Sequence, residues 1–170
     1  MYLDAFLQSS GNNVTGAITG QSLVGAAQTF TSTNVIDLAS LGQRISDVGA
    51  GQSLELVVAV TQAFAGGTSM QIAVVLADDP AISVNVEQIV LDAALTIAQL
   101  TAGTQIPVHF DRVAPLPPRR YLALQYITVG TMTAGAVTAS VVASIQDAQT
   151  RISNGVGGFT TGYIGGFVVQ

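Results

Sequence analysis

Apolar and polar residues alternate most clearly from Ser53 to Gln62, where Leu54, Leu56, Val58 and Val60 share one face and Glu55, Val57, Ala59 and Thr61 share the other. A period of two predicts a strand that buries one face. Similar short runs rich in β-branched residues predict strands over Asn34–Leu38, Ser69–Ala77, Val86–Leu91, Thr104–Phe110, Tyr121–Ile127 and Ala136–Ile145. Apolar residues at helical spacing are scarce, and only Leu95–Leu100, followed by Gly103, reads as a short helical turn.

Turn residues separate these runs. Gly66-Gly67 offers positive φ and predicts a hairpin between the strands on either side, while Asp78-Asp79-Pro80 predicts a turn with one φ fixed. The segment Ala114-Pro115-Leu116-Pro117-Pro118 lacks three ladder donors and cannot be a central strand, so it is expected as an extended connection over an edge or corner. Seven or so short strands with regular turns predict an all-β fold, a β-sandwich of the jelly-roll kind. An additional strand is expected around Val14–Ile18 or Ser22–Ala26. The chain divides into an N-terminal arm (1–32), a jelly-roll core (33–146) and a Gly-rich C-terminal arm (147–170).

The C-terminal segment interleaves Gly155, Gly157, Gly158, Gly162, Gly165 and Gly166 with larger residues. Glycine at this density is costly to order. The arm is therefore expected to dock on a neighbouring subunit through Phe159, Tyr163, Ile164 and Phe167, with Tyr2, Leu3 and Phe6 as interface candidates at the other end; the structural alternative is a tail folded back onto its own jelly roll.

Composition narrows the classes. Charged residues form only 9% of the 170 positions, against roughly 25% in an average soluble domain, so part of the surface is expected to be hidden in an assembly. No apolar run reaches the roughly 18–20 residues of a membrane helix, and Met1-Tyr2-Leu3-Asp4 opens without the basic stretch of a secretory signal. All five basic residues are Arg (Arg44, Arg112, Arg119, Arg120, Arg151) and the net charge is −5, which argues against nucleic acid as a partner. Arg119-Arg120 is the one basic cluster. It can be a solvated or ion-paired loop end, but an inter-subunit contact through planar guanidinium groups is expected to outweigh any internal one.

Candidate chemistry is sparse. There is no Cys, and the single His109 cannot build a multi-histidine metal site; beside Phe110 and Asp111 it reads as structural, with no local nucleophile motif. Asp78, Asp79 and Glu87 supply oxygen ligands, yet their spacing matches no calcium loop, and turn chemistry accounts for the first two. Neither Gly49-Ala50-Gly51 nor the C-terminal glycines have the Lys and strand-loop-helix setting of a phosphate cradle. No enzyme activity, metal or cofactor is expected.

Several segments in order resemble the single-jelly-roll capsid cement, or decoration, proteins of tailed bacteriophages. They are Asn34-Val35-Ile36-Asp37-Leu38, then Arg44-Ile45-Ser46-Asp47-Val48-Gly49-Ala50-Gly51 leading into Leu54-Glu55-Leu56-Val57-Val58, then Phe64-Ala65-Gly66-Gly67-Thr68-Ser69. Ala77-Asp78-Asp79, Leu100–Gly103, Arg119-Arg120-Tyr121-Leu122-Ala123-Leu124-Gln125-Tyr126 and Thr133-Ala134-Gly135 follow. The resemblance covers about two thirds of the chain and does not extend to the long ends.

It implies a jelly roll on the outer surface of a phage head, in the host cytoplasm before assembly, bridging subunits of the major capsid protein. It also implies a homotrimer, with neither nucleic acid nor membrane as partner. Another class that the residues allow is a carbohydrate- or host-binding jelly-roll module of a head fibre or tail, although the chain lacks Trp, the best sugar platform.

Overall fold

The structure is a computed structural model that describes residues 8–12, 17–39, 54–110 and 119–142. These residues form the strands β1 (Gln8–Ser10), β2 (Gln21–Ser22), β3 (Thr29–Thr31), β4 (Ile36–Asp37), β5 (Leu54–Gly66) and β6 (Ser69–Ala77). They continue with β7 (Glu87–Leu91), β8 (Leu95–Thr96), β9 (Gln105–Phe110), β10 (Tyr121–Val129) and β11 (Met132–Val142). The expected helical turn is a single 3-10 turn, Ile97–Gln99.

Two antiparallel sheets make a β-sandwich. One has the order β1-β11-β5-β9, with β2 also on β11; the other has the order β3-β10-β6-β7, with β4 also on β10 and β8 on β6. Strand partners are nested along the chain: β1 with β11, β3 with β10, β5 with β9, and β6 with β7. The chain is thus doubled back on itself, with the 78–86 loop at its tip, and rolled so that β5 also meets β11 and β6 also meets β10.

Period-two burial drives this arrangement. Leu56, Val58, Val60 and Phe64 of β5 enter one core with Met70, Ile72, Val74 and Leu76 of β6, Leu122, Leu124 and Tyr126 of β10, and Val137, Ala139 and Val141 of β11. The inward parity of β11 changes between Met132 and Val137, because bulges break its register with β5 there. Gly135 permits that bulge: its φ is 145°, and the Phe64 ring lies where a β-carbon would stand. The outward row of the second sheet is apolar as well, with Ala73, Val75, Ala77 and Ala123 buried in a smaller cluster that receives Ile82 from the 78–86 loop.

Two expectations are corrected. Gly66 and Gly67 do form a turn with positive φ (71° and 60°), but β5 and β6 do not pair; the chain crosses there from one sheet to the other. The crossing lets the two apolar rows face each other across the core. Beside it runs the crossing from β10 to β11, so close that a β-carbon on Gly130 would lie 2.9 Å from the Gly67 Cα. Secondly, residues assigned to an N-terminal arm belong to the sandwich: β1 and β2 lie along β11, β3 pairs with β10, and Leu23 is fully buried. Their pull is the open edge of two sheets, which a run of Ser, Thr and Gln can pair with through its backbone. The C-terminal arm, like the Pro-rich connection, lies outside the described residues.

Candidate functional site

Charged side chains of the described residues gather where β4, the 78–86 loop and the start of β10 meet. Antiparallel pairing of Tyr121 with both Asp37 and Ala77 brings these three elements together. Arg119 donates from Nη1 to Asp78 Oδ2 at 2.8 Å and from Nε to Glu87 Oε2 at 3.3 Å, which ties the loop and β7 to β10. Arg120 makes a two-pronged pair with Asp37, Nε to Oδ1 at 2.9 Å and Nη2 to Oδ2 at 2.8 Å, and its guanidinium carbon lies 5.2 Å from the centre of the Tyr121 ring. This fork geometry is available to Arg and not to Lys.

Arg119 and Arg120, expected at a subunit or capsid contact, thus also make internal pairs. Each guanidinium is occupied inside its own chain, and any contact in an assembly adds to these pairs. The other expected interface residues, Tyr2, Leu3, Phe6, Phe159, Tyr163, Ile164 and Phe167, lie outside the described residues.

The 78–86 loop is held by its own side chains. Asp79 accepts from the Ser83 and Val84 amides at 2.8 and 2.7 Å and from the Ser83 hydroxyl at 2.8 Å. Asn85 donates to Asp78 at 2.7 Å, and the Asp78 amide donates to the Val84 carbonyl at 3.1 Å. Two non-glycine residues take left-handed φ, Ile82 at 53° and Asn85 at 51°. For a β-branched residue such as Ile82 this is an outlier, sustained here by burial of its side chain against Ala73, Val75, Ala77 and Ala123. Val84 and Val86 remain exposed (49% and 43%).

Electrostatics follow from these contacts. The Arg120 hydrogen bonds, then the Ala39 amide, hold Asp37 below the ordinary carboxylate range. Asn85 and then Arg119 do the same for Asp78, and the Val84 amide leads for Asp79. All three therefore stay ionised at neutral pH.

Among the described residues no three His, Cys, Asp or Glu side chains converge as metal ligands. His109 is exposed on β9, opposite Glu55 in the ladder.

The partners Asp37, Asp78 and Glu87 are what sequence reasoning missed, since they stand 83, 41 and 32 residues from their arginines and no local pattern joins them. Two antiparallel layers around an apolar core define a β-sandwich, with an ion-paired cluster at one end. The chain belongs to the Bbp16 family, whose sequence model matches residues 17–141. No curated protein matches the chain.

Proposed function

We propose that this protein is a structural cement of a tailed-phage head, which binds the outer surface of the shell and stabilises contacts between subunits of the major capsid protein. The observation that carries the reading is the nested strand order. Eight principal strands, paired β1–β11, β3–β10, β5–β9 and β6–β7 and divided four to a sheet, read as the two Greek keys of a jelly roll. A jelly roll is what the ordered resemblance to capsid cement proteins implies, and this strand order supports it.

The chemistry is compatible with this role. A clamp that binds the assembled lattice but not free subunits stabilises the lattice by mass action, and several contacts per copy add avidity. An acidic chain without Lys does not compete for genome phosphates. We further propose a homotrimer as the bound form, on the resemblance alone.

Addition of the purified protein to shells that lack it, followed by sedimentation and electron microscopy, tests the function. Saturable added density on the outer surface, with greater resistance of the shell to heat, is expected. Failure to bind shells, together with binding to glycans that depends on exposed aromatics, would replace the proposal by the host-binding module.

A further inference from the structure

We propose that the 78–86 loop is a preformed docking tip, whose exposed Val84 and Val86 enter an apolar hollow with a basic rim on the partner protein. The inference rests on the cement reading, in which that partner is a shell subunit. Four observations converge on it.

First, the described part of the protein hides its apolar residues thoroughly, including the outward row of the second sheet, so large exposed ones are few. Two of them stand two positions apart on this one loop. Secondly, the loop is braced beyond what a connection needs. Asp79 takes three hydrogen bonds, Asn85 and Arg119 converge on Asp78, and Ile82 is pinned into the outer cluster at a φ of 53°. Maintaining an unfavourable backbone in a surface loop is warranted when its shape is used, because a loop already in its bound form loses little entropy on docking.

Thirdly, the charge around the tip is net negative. Asp78, Asp79 and Glu87 outnumber Arg119, while the adjacent Arg120 is matched by Asp37, within a chain of net charge −5. A basic rim complements that surface and steers encounter, whereas an acidic one repels it. Fourthly, the tip is the turning point of the doubled chain, at the end of β6 away from the Gly66-Gly67 crossing, so contact there leaves the ladders of both sheets intact.

The test uses full-length protein and capsid shells lacking it, with binding measured by sedimentation across protein concentrations. The double substitution Val84→Ser/Val86→Ser is compared with Val129→Ser, an equally exposed valine at the opposite end of β10. Both variants are first checked for unchanged circular dichroism and melting. The double variant is expected to lose tenfold or more in affinity and Val129→Ser to lose less than twofold. A further pair, Val86→Glu and Val86→Lys, reads the rim: both weaken binding, the lysine variant several-fold more.

Wild-type binding with an unaffected double variant overturns the docking tip and leaves the cement reading standing. Equal loss for the Glu and Lys variants, or better binding by Lys, overturns the basic rim. Absence of wild-type binding sinks the cement reading itself, and this inference with it.

Discussion

Tyr126 is the largest fully buried side chain of the described core, and its hydroxyl meets Ser10 Oγ at 2.7 Å, joining β10 of one sheet to β1 of the other. A phenol in a core requires such a partner, because an unsatisfied buried hydroxyl costs about 1–3 kcal/mol. Ser10→Ala is therefore expected to destabilise by roughly that amount, and Ser10→Ala/Tyr126→Phe to recover much of the loss in a double-mutant cycle read by urea unfolding. Burial also pushes the Tyr126 phenol far above its ordinary value of 10.0, although the Ser10 bond pulls slightly the other way. The raised value in the fold means that the unfolded chain releases this proton first as pH rises. Stability from Tyr126 is thus complete below about pH 10 and declines above it, and Tyr126→Phe should flatten melting temperature against pH in that range. An equal alkaline slope in the variant would show that the loss does not come from Tyr126. At the opposite end of the scale, Asp37, Asp78 and Asp79 are depressed, so their contribution is present above the ordinary carboxylate value of 3.8 and fades as pH falls below it. Protection of the Ser83 and Val84 amides, whose N–H groups Asp79 holds, measured against the intrinsic exchange rate at each pH, should fall on acidification before that of the core ladders.

At the scale of elements, alternation made most strands legible. The Ser69–Ala77 strand has its expected ends, and the strands begun at Leu54, Gln105 and Tyr121 start within a residue of where the pattern places them. Strand β11 begins at Met132, four residues before its expected start, because the bulge at Gly135 disguises its first residues as a turn. Pairing was less legible than strand position, and Gly66-Gly67 shows why. A local sequence specifies that the backbone can reverse there; it does not specify whether the next strand lies beside the last or across the core from it. Arg119 and Arg120 show the same limit, since the adjacent pair was visible and its carboxylates, supplied by three distant elements, were not. The crossing at Gly67 and Gly130 gives a direct test of close approach. Gly103→Ala meets only the cost of a left-handed φ of 90°, with open space around the new methyl group. Gly130→Ala meets a φ of 81° and also the Gly67 backbone at 2.9 Å. Left-handed φ costs roughly 1–2 kcal/mol for a non-glycine residue, so Gly103→Ala should fall in that range and Gly130→Ala should exceed it clearly in thermal unfolding. Equal losses would show that the two crossings can separate without penalty.

For the whole molecule, nesting makes the first strands and the last close the sandwich together. Residues 8–10 would be dispensable if they formed an arm, since removing an arm leaves the core ladders untouched. In the structure Gln8, Ser9 and Ser10 are buried, β1 lies along Ser140 and Ala139 of β11, and Ser10 holds Tyr126. Deletion of residues 1–12 therefore uncovers backbone donors and acceptors on the edge of β11 and leaves the Tyr126 hydroxyl without its partner. The hydroxyl alone accounts for about 1–3 kcal/mol, and loss of the cross-strand contacts adds to it. At roughly 2–4 °C per kcal/mol for a chain of this size, the melting temperature should fall by about 5–15 °C. Exposed strand edges also recruit one another, so the truncated protein should aggregate at concentrations where the full chain does not. Calorimetry and light scattering on both forms decide the matter: unchanged melting and solubility would restore residues 1–12 to the status of an arm. A lowered melting point with binding to shells retained at low temperature would separate the structural task of β1 from the docking task assigned to the 78–86 loop, which lies in the other sheet and makes no ladder contact with β1.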